Sequence, residues 1–451
     1  MLKRIFTIAC GVALGLCLAA GVAWLAVALW ILPNRDINHA SSYVRDVMSL
    51  VSENYYDPKK ADAPELAKAA LHGMVESLDP HSEFMEAKDF ALLNEDMGSE
   101  FGGVGMQVES RKGRVYVVST VKDSPGERAG IHGGDEIISI DGAKLDKPDI
   151  DGVVEKLRGK PRTKVAVGFF RAAENREFAV TLTREMIKNL SVSNVRVLED
   201  GVGYLLITQF TERTGEEFIN ALNQLADKNV TSLIIDLRNN PGGVLESAVD
   251  VAEPFFKKGE LIVYTQGRTP ADRDEYRAES DEKPITAPVA ILINQNSASA
   301  AEVVAGALKD TGRAVIVGER SFGKGSVQSI FDLDNGEGLR LTTARYHTPG
   351  GETIHEHGIA PQVEVVLTSA EDDNIAAQLS RPELADAPAA FKERFDTAPV
   401  PDRQLQAAVA VLQGVTALER WEPRTPRPSS SSADSGTTAP ARQDEKPSAK
   451  K

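Results

Sequence analysis

The chain has 451 residues, with 51 Lys and Arg against 66 Asp and Glu and a formal net charge of −15; its isoelectric point is near 5.1. That length exceeds what one core holds, so two or three folded units are expected, and the acidic balance excludes nucleic-acid binding through a general basic field. The two cysteines, Cys10 and Cys17, both lie in the first apolar stretch, which leaves the rest of the chain without a disulfide framework or a cysteine-based metal site.

Lys3 and Arg4 precede an apolar run from Ile5 to Leu32, interrupted by Thr7 and closed by Pro33-Asn34-Arg35-Asp36. The run exceeds the roughly 7 to 15 residues of a signal-peptide core and suffices for a bilayer core of about 30 Å. The expectation is an uncleaved membrane anchor over residues 1–35, with the bulk of the chain outside the cytoplasm because the positive flank precedes the run. Cleavage after Ala26-Val27-Ala28 is the competing reading and would release the chain to the periplasm. Over residues 36–98, Val44, Val47, Met48 and Val51, then Leu66, Ala70, Met74 and Val75, recur at helical spacing and predict a helical region packed on the main domain. His81 sits in the stretch Ser77 to Met85, SLDPHSEFM.

Residues 99–184 read as a compact β-rich module. Gly102, Gly103, Val104 and Gly105 precede short strands at Met106–Val108 and Val115–Val118. Arg128-Ala129-Gly130-Ile131 then runs into GDEIISIDG, a strand closed by an Asp-Gly turn. A helix at 150–157 and strands at 165–170 and 177–182 complete the module.

The chain beyond Arg184 alternates strands and helices, the pattern of an α/β layer. Strands are expected at 202–207, 232–237, 289–293, 314–318 and 339–346, helices at 214–228, 245–251 and 300–308, and an exposed charged loop at 267–283. The strand at 232–237 delivers Arg238-Asn239-Asn240-Pro241-Gly242-Gly243 at its C-terminal end, where sites form in such sheets. Ser297 and Ser299 both stand before the helix at Ala300. Unpaired backbone N–H groups and the dipole there favour developing negative charge, as acyl transfer requires. Lys324 lies between Gly323 and Gly325. As a base it must be neutral, which takes a shift of roughly 3 units, about 4 kcal/mol, and burial beside Phe322 and Val327 is the expected source. His355 and His357 admit a metal site or a Ser-His-Asp triad as lesser readings. A further helix is expected at 405–418, and the Pro-, Ser- and charge-rich tail from Pro423 is expected to be disordered.

The motifs SASAAE, the following Asp310-x-Gly312-Arg313-Ala314, FGKGSVQ, LDPHS and DLRNNPGG together resemble the carboxyl-terminal processing, or tail-specific, serine proteases, and the 99–184 module resembles the PDZ domain inserted in them. The resemblance spans roughly residues 40 to 370. It implies an α/β (α+β) fold with a ClpP/crotonase-like protease core over 185–370, a PDZ insertion, and a C-terminal helical extension over 371–422. It also implies a Ser-Lys dyad of Ser299 and Lys324, with Gln328 orienting the lysine. The oxyanion hole would use the Ala300 N–H and Gly242 or Gly243, and Gly102 to Gly105 would bind a peptide's terminal carboxylate. His81 is then structural. Asp310 belongs to the same signature, where its family counterpart is near-catalytic; read from the residues, a helix-ending aspartate paired with Arg313 is the simpler expectation. No cofactor or metal is implied. The expected substrates are cell-envelope proteins with exposed apolar C-termini; an adaptor and homo-oligomerisation stay open. Gly126, Arg162 and Gln362 depart from the family pattern. Two other classes remain, a catalytically silent PDZ scaffold and an acyl-CoA enzyme on a related core. Gating of the dyad by movement of the PDZ module is a further expectation.

Overall fold

The computed structural model describes residues 35–419, apart from Ser99, Lys112, Lys122, Asn189, Pro382, Glu383, Ala385 and Asp386, together with Gly15 and Gly21. The apolar run read as an anchor and the tail from Pro423 lie outside the described residues. Among the described residues no helix is long and apolar enough to cross a membrane.

The central sheet holds six strands: β1 (Val192–Val197), β2 (Val202–Ile207), β3 (Ser232–Asp236), β4 (Val289–Ile293), β5 (Ala314–Gly318) and β6 (Val363–Glu364), in that spatial order. β1 is antiparallel to β2, and all later neighbours are parallel. Every residue of β2, β3 and β4 is buried. Such continuous apolar strands need cover on both faces. One face, with Leu205, Ile207, Ile235 and Ile291, packs on three helices, α1 (Thr214–Ala226), α2 (Leu245–Ala252) and α3 (Ala300–Asp310). The opposite face, with Tyr204, Leu206, Ile234 and Leu292, packs on Ala408 and Leu412. Those two residues belong to the last of the C-terminal helices α4 (Ser369–Ser380), α5 (Pro388–Phe395) and α6 (Arg403–Glu419). The C-terminal extension is therefore the second layer of the sheet.

A second sheet carries Leu261–Gln266, Arg273–Arg277, Ser326–Asp332 and Gly338–His347, with Glu83–Met85 added to the edge of the last strand. Two expectations change here. The segment 267–283 contains a strand, because Arg273–Arg277 pairs antiparallel with Leu261–Gln266 and Tyr276 packs on the core. The N-terminal helical region docks through Glu83–Met85 and the buried Phe84 and Val75, whereas the helix Arg35–Asn54 buries no residue.

The 99–184 region has its own core of Val115, Val117, Ile137, Val167 and Phe169 within an antiparallel sheet. It joins the rest of the chain through a two-stranded ribbon, Glu100–Gly103 against Glu185–Lys188. Arg162 adopts φ +71°, a backbone glycine takes without strain. An alanine Cβ at Gly126 would lie 2.9 Å from Met106 Cγ and 3.0 Å from the Val104 carbonyl. Gln362 accepts the Ile316 N–H at 2.6 Å through its side-chain oxygen.

Candidate active site

The ends of β3 and β4 lie side by side, and their following loops are tied together by main chain. The Ala298 N–H donates to the Asn240 carbonyl at 2.9 Å. Asn239 and Asn294 exchange two hydrogen bonds, Asn239 N–H to Asn294 Oδ1 and Asn294 Nδ2 to Asn239 Oδ1, both 2.9 Å. Ser297 is fully buried; its hydroxyl donates to the Leu237 carbonyl at 2.8 Å and accepts the Asn294 N–H at 3.0 Å. That pairing makes Ser297 a tie between the two loops.

Ser299 caps α3 with φ +54° and ψ −116°, a region that side-chain-bearing residues rarely occupy and that marks functional turns. It is 6 % exposed. The loop opposite approaches closely: a Cβ on Gly242 would lie 2.7 Å from Ser299 Cβ and 2.9 Å from the Ala300 nitrogen. Glycine is needed there for room and for φ +98°. The Gly242 N–H donates to Asn240 Oδ1 at 2.8 Å. Among the described residues neither the Gly243 N–H nor the Ala300 N–H has a protein acceptor. Of the two glycines left open by sequence, Gly243 is the one whose N–H is unengaged among the described residues.

Glu302, in the first turn of α3, is fully buried and accepts four hydrogen bonds. Its Oε2 takes the Ser299 N–H at 2.9 Å and the Lys324 N–H at 2.8 Å; its Oε1 takes the Ser321 hydroxyl at 2.5 Å and the Gly323 N–H at 2.7 Å. One carboxylate thus fixes the main chain of both Ser299 and Lys324. Burial still pushes its carboxyl above the usual range against those four donors. Sequence reasoning read past Glu302, though it is the last letter of SASAAE.

The Lys324 turn is covered by residues 354–358. The Glu356 N–H donates to the Gly323 carbonyl at 2.9 Å, and a Cβ on Gly325 would lie 2.3 Å from the His355 nitrogen. Burial, with the nearby Arg340 charge, lowers the Lys324 ammonium from its ordinary value, against the pull of Glu302. Phe322 itself is 62 % exposed. The Tyr346 hydroxyl reaches Ser299; burial pushes it up to about 12, so it is protonated at working pH.

Gln328 does not reach the lysine. Its Nε2 donates to Ser326 Oγ at 3.0 Å and to Thr342 Oγ1 at 3.1 Å. Thr342 in turn donates to Asp79 Oδ1 at 3.2 Å, and its N–H to Ser82 Oγ at 3.1 Å. Burial alone would raise the Asp79 carboxyl, but hydrogen bonds from Ser82, from the His81 and Ser82 N–H groups and from Thr342 outweigh it and hold the carboxyl low. Burial and the Lys324 charge lower His81. The LDPHS segment is thus a turn pinned beside the lysine.

Asp310 does not pair with Arg313. It accepts the Gly350 N–H at 3.1 Å, and Arg313 donates to the Ile285 carbonyl. His355 Nε2 stands 3.7 Å from Glu356 and makes no bond to Ser299, and the His357 carbonyl accepts from Arg320. Among the described residues no three His, Cys, Asp or Glu side chains cluster as a metal site.

In the β-rich module, Gly102, Gly103, Val104 and Gly105 are all buried. Three of their carbonyls are engaged: Gly102 by the Gly159 N–H at 2.9 Å, Val104 by the Gly126 N–H at 2.8 Å, Gly105 by the Val121 N–H at 2.9 Å. Among the described residues the strand that follows, Met106–Arg111, pairs on one side only, with Arg114–Thr120. Its other edge can accept an added strand.

Comparison with known proteins bears on the same residues. The model of peptidase family S41 matches residues 201–365, and that of a PDZ domain matches residues 102–182. The carboxy-terminal-processing protease of Bartonella bacilliformis is 39% identical over 308 residues, 67% of this chain and 70% of that protein. The carboxy-terminal processing protease CtpA of Bacillus subtilis is 35% identical over 318 residues, 70% of this chain and 67% of that protein. Among solved structures, a photosystem II D1 C-terminal processing protease is 29% identical with a TM-score of 0.42, covering 72% of this chain and 93% of that one. The chain accordingly belongs to the carboxy-terminal-processing proteases of peptidase family S41, serine-type peptidases, and carries a PDZ domain.

Proposed function

We propose that the protein is an endopeptidase working through a Ser299–Lys324 dyad on cell-envelope proteins whose C-termini its PDZ domain recognises. The observation that carries this reading is Glu302, whose one carboxylate bonds the main chain of both residues. Ser299 attacks the scissile carbonyl while neutral Lys324 accepts the hydroxyl proton, then returns it to the leaving amine. The Gly243 and Ala300 N–H groups stabilise the oxyanion. Gln328 orients the lysine in the working state. The loop from Gly102 to Gly105 meets the substrate's carboxylate, and the free edge of Met106–Arg111 takes the peptide as an added strand. Met106 and Val108 pack against the module core beside that edge, which suits apolar final residues. The apolar run from Ile5 to Leu32 supports an anchored, envelope-facing enzyme.

A second feature of the reading is that substrate assembles the dyad. Among the described residues the Lys324 ammonium makes no hydrogen bond or ion pair, and Gln328 is turned to Ser326 and Thr342. Peptide bound at the PDZ edge would then shift both toward Ser299. The test compares cleavage of a peptide ending in a free apolar C-terminus with its C-terminal amide. The parent is expected to cleave the free acid faster, and Ser299→Ala to bind it without cleaving. Equal rates for acid and amide would refute PDZ recognition, and cleavage by Ser299→Ala would refute the nucleophile.

A further inference from the structure

The C-terminal extension lies beyond residues 201–365, which match the protease family, yet it reaches the loop that holds the oxyanion donor. Arg238, which opens that loop, is 2 % exposed. A guanidinium has five N–H donors, and here all five are taken. Nε donates to Asp236 Oδ1 at 3.0 Å. One terminal nitrogen donates to Asp236 Oδ2 at 2.6 Å and Asp402 Oδ2 at 2.8 Å. The other donates to Asp402 Oδ1 at 3.0 Å and Gln404 Oε1 at 3.2 Å. Three of the five therefore end on Asp402 and Gln404. Gln404 is itself fully buried and is held by its own donation to the Val365 carbonyl at 2.9 Å. The nucleophile loop has a second tie to the extension: Asn294 Nδ2 also donates to Asp372 Oδ1, in α4, at 3.3 Å.

We propose that Asp402, assisted by Gln404, is a positioning residue for catalysis. It acts through Arg238 on the loop from Asn239 to Gly243, so the extension is part of the catalytic apparatus. Asp236 alone satisfies the inner edge of the guanidinium. Without Asp402 the outer edge of a buried cation is left unpaired, and the loop that Arg238 begins can turn to find water. Asn239, next in the chain, is at φ +57° and bonded to Asn294, so such a turn also moves the nucleophile loop. Asp402 additionally caps α6, accepting the Leu405 N–H at 2.9 Å. Its side chain is 17% exposed, enough for a small anion to reach the site once the carboxylate is gone.

This inference rests on Ser299 being the nucleophile, and its test separates the two. Full-length Asp402→Ala and Asp402→Asn are assayed for peptide cleavage and for labelling of Ser299 by a fluorophosphonate. Asn retains helix capping, so Asp402→Asn isolates the loss of charge from the loss of the cap. For both variants kcat is expected to fall about tenfold to a hundredfold, less than removal of an oxyanion donor outright, with labelling slowed in step. KM should stay within about twofold of the parent. Added formate should restore part of the Asp402→Ala rate. Gln404→Leu should show the same kcat-only loss, at several-fold. Parent-like kcat and labelling in Asp402→Asn, or a loss in folded Asp402→Ala that formate leaves untouched, would overturn the positioning role while leaving Ser299 standing. A parent that is not labelled at Ser299 would overturn both.

Discussion

The two sides of the active site are built differently. On the Ser299 side the loops are cross-tied: Ser297 to Leu237, Asn239 to Asn294, Ala298 to Asn240, Gly242 against Ser299. On the Lys324 side the main chain is fixed by Glu302, but the ammonium has no hydrogen-bonding partner among the described residues, and Gln328 bonds elsewhere. The difference teaches where each part of the chemistry is stored. An oxyanion hole functions by being rigid before charge develops. A lysine base functions in its neutral form, which burial favours and a tight ion pair would oppose.

Glu302 joins the two sides, so breaking it should have the largest effect on the contrast. Glu302→Gln is isosteric, but its amide nitrogen must face either the Ser299 and Lys324 N–H pair or the Ser321 and Gly323 pair. Leaving two buried donors unmatched is expected to cost on the order of 2 to 4 kcal/mol of stability. It should also lower kcat about a hundredfold through misplacement of the dyad. Denaturant unfolding and steady-state kinetics measure the two, and parent-like kcat would show that the sides are held independently.

Ser297→Ala sharpens the comparison from the other direction. It removes a buried hydroxyl that bonds Leu237 and Asn294, so about 1 to 2 kcal/mol of stability should be lost. Some cleavage should survive, with Ser299 still labelled by a fluorophosphonate. Complete loss of labelling with the fold intact would return Ser297 to candidacy as the nucleophile.

How much of this was legible in the sequence follows from how local each signal is. The strands β2, β3, β4 and β5 announce themselves as short apolar runs bounded by turn residues, and the motifs around Ser299 and Lys324 stand in contiguous letters. The partners of those letters are not contiguous. Ser297 bonds a carbonyl at Leu237, and Asp310 turns from the nearby Arg313 to the Gly350 N–H, because the 348–351 turn folds over the end of α3. The strand Ser326–Asp332 went unseen because its residues are mostly half-buried without strict alternation. The helix expected at 405–418 carries no letter that names its partner, yet Ala408 and Leu412 cover the second face of the sheet whose β2, β3 and β4 are fully buried.

The central claim is that half-buried Lys324, in its deprotonated form, is the base for Ser299. The direct measurement is kcat/KM against pH for the parent, Lys324→Ala and a His355→Ala/His357→Ala double variant. Burial lowers the Lys324 ammonium, and the base works only when deprotonated. Activity should therefore rise as pH climbs through that lowered value, with the same rise in the histidine variant. Lys324→Ala should lose the rise along with roughly a thousandfold or more of activity. A pH-dependent rise that survives in Lys324→Ala but disappears in the histidine variant would contradict the account.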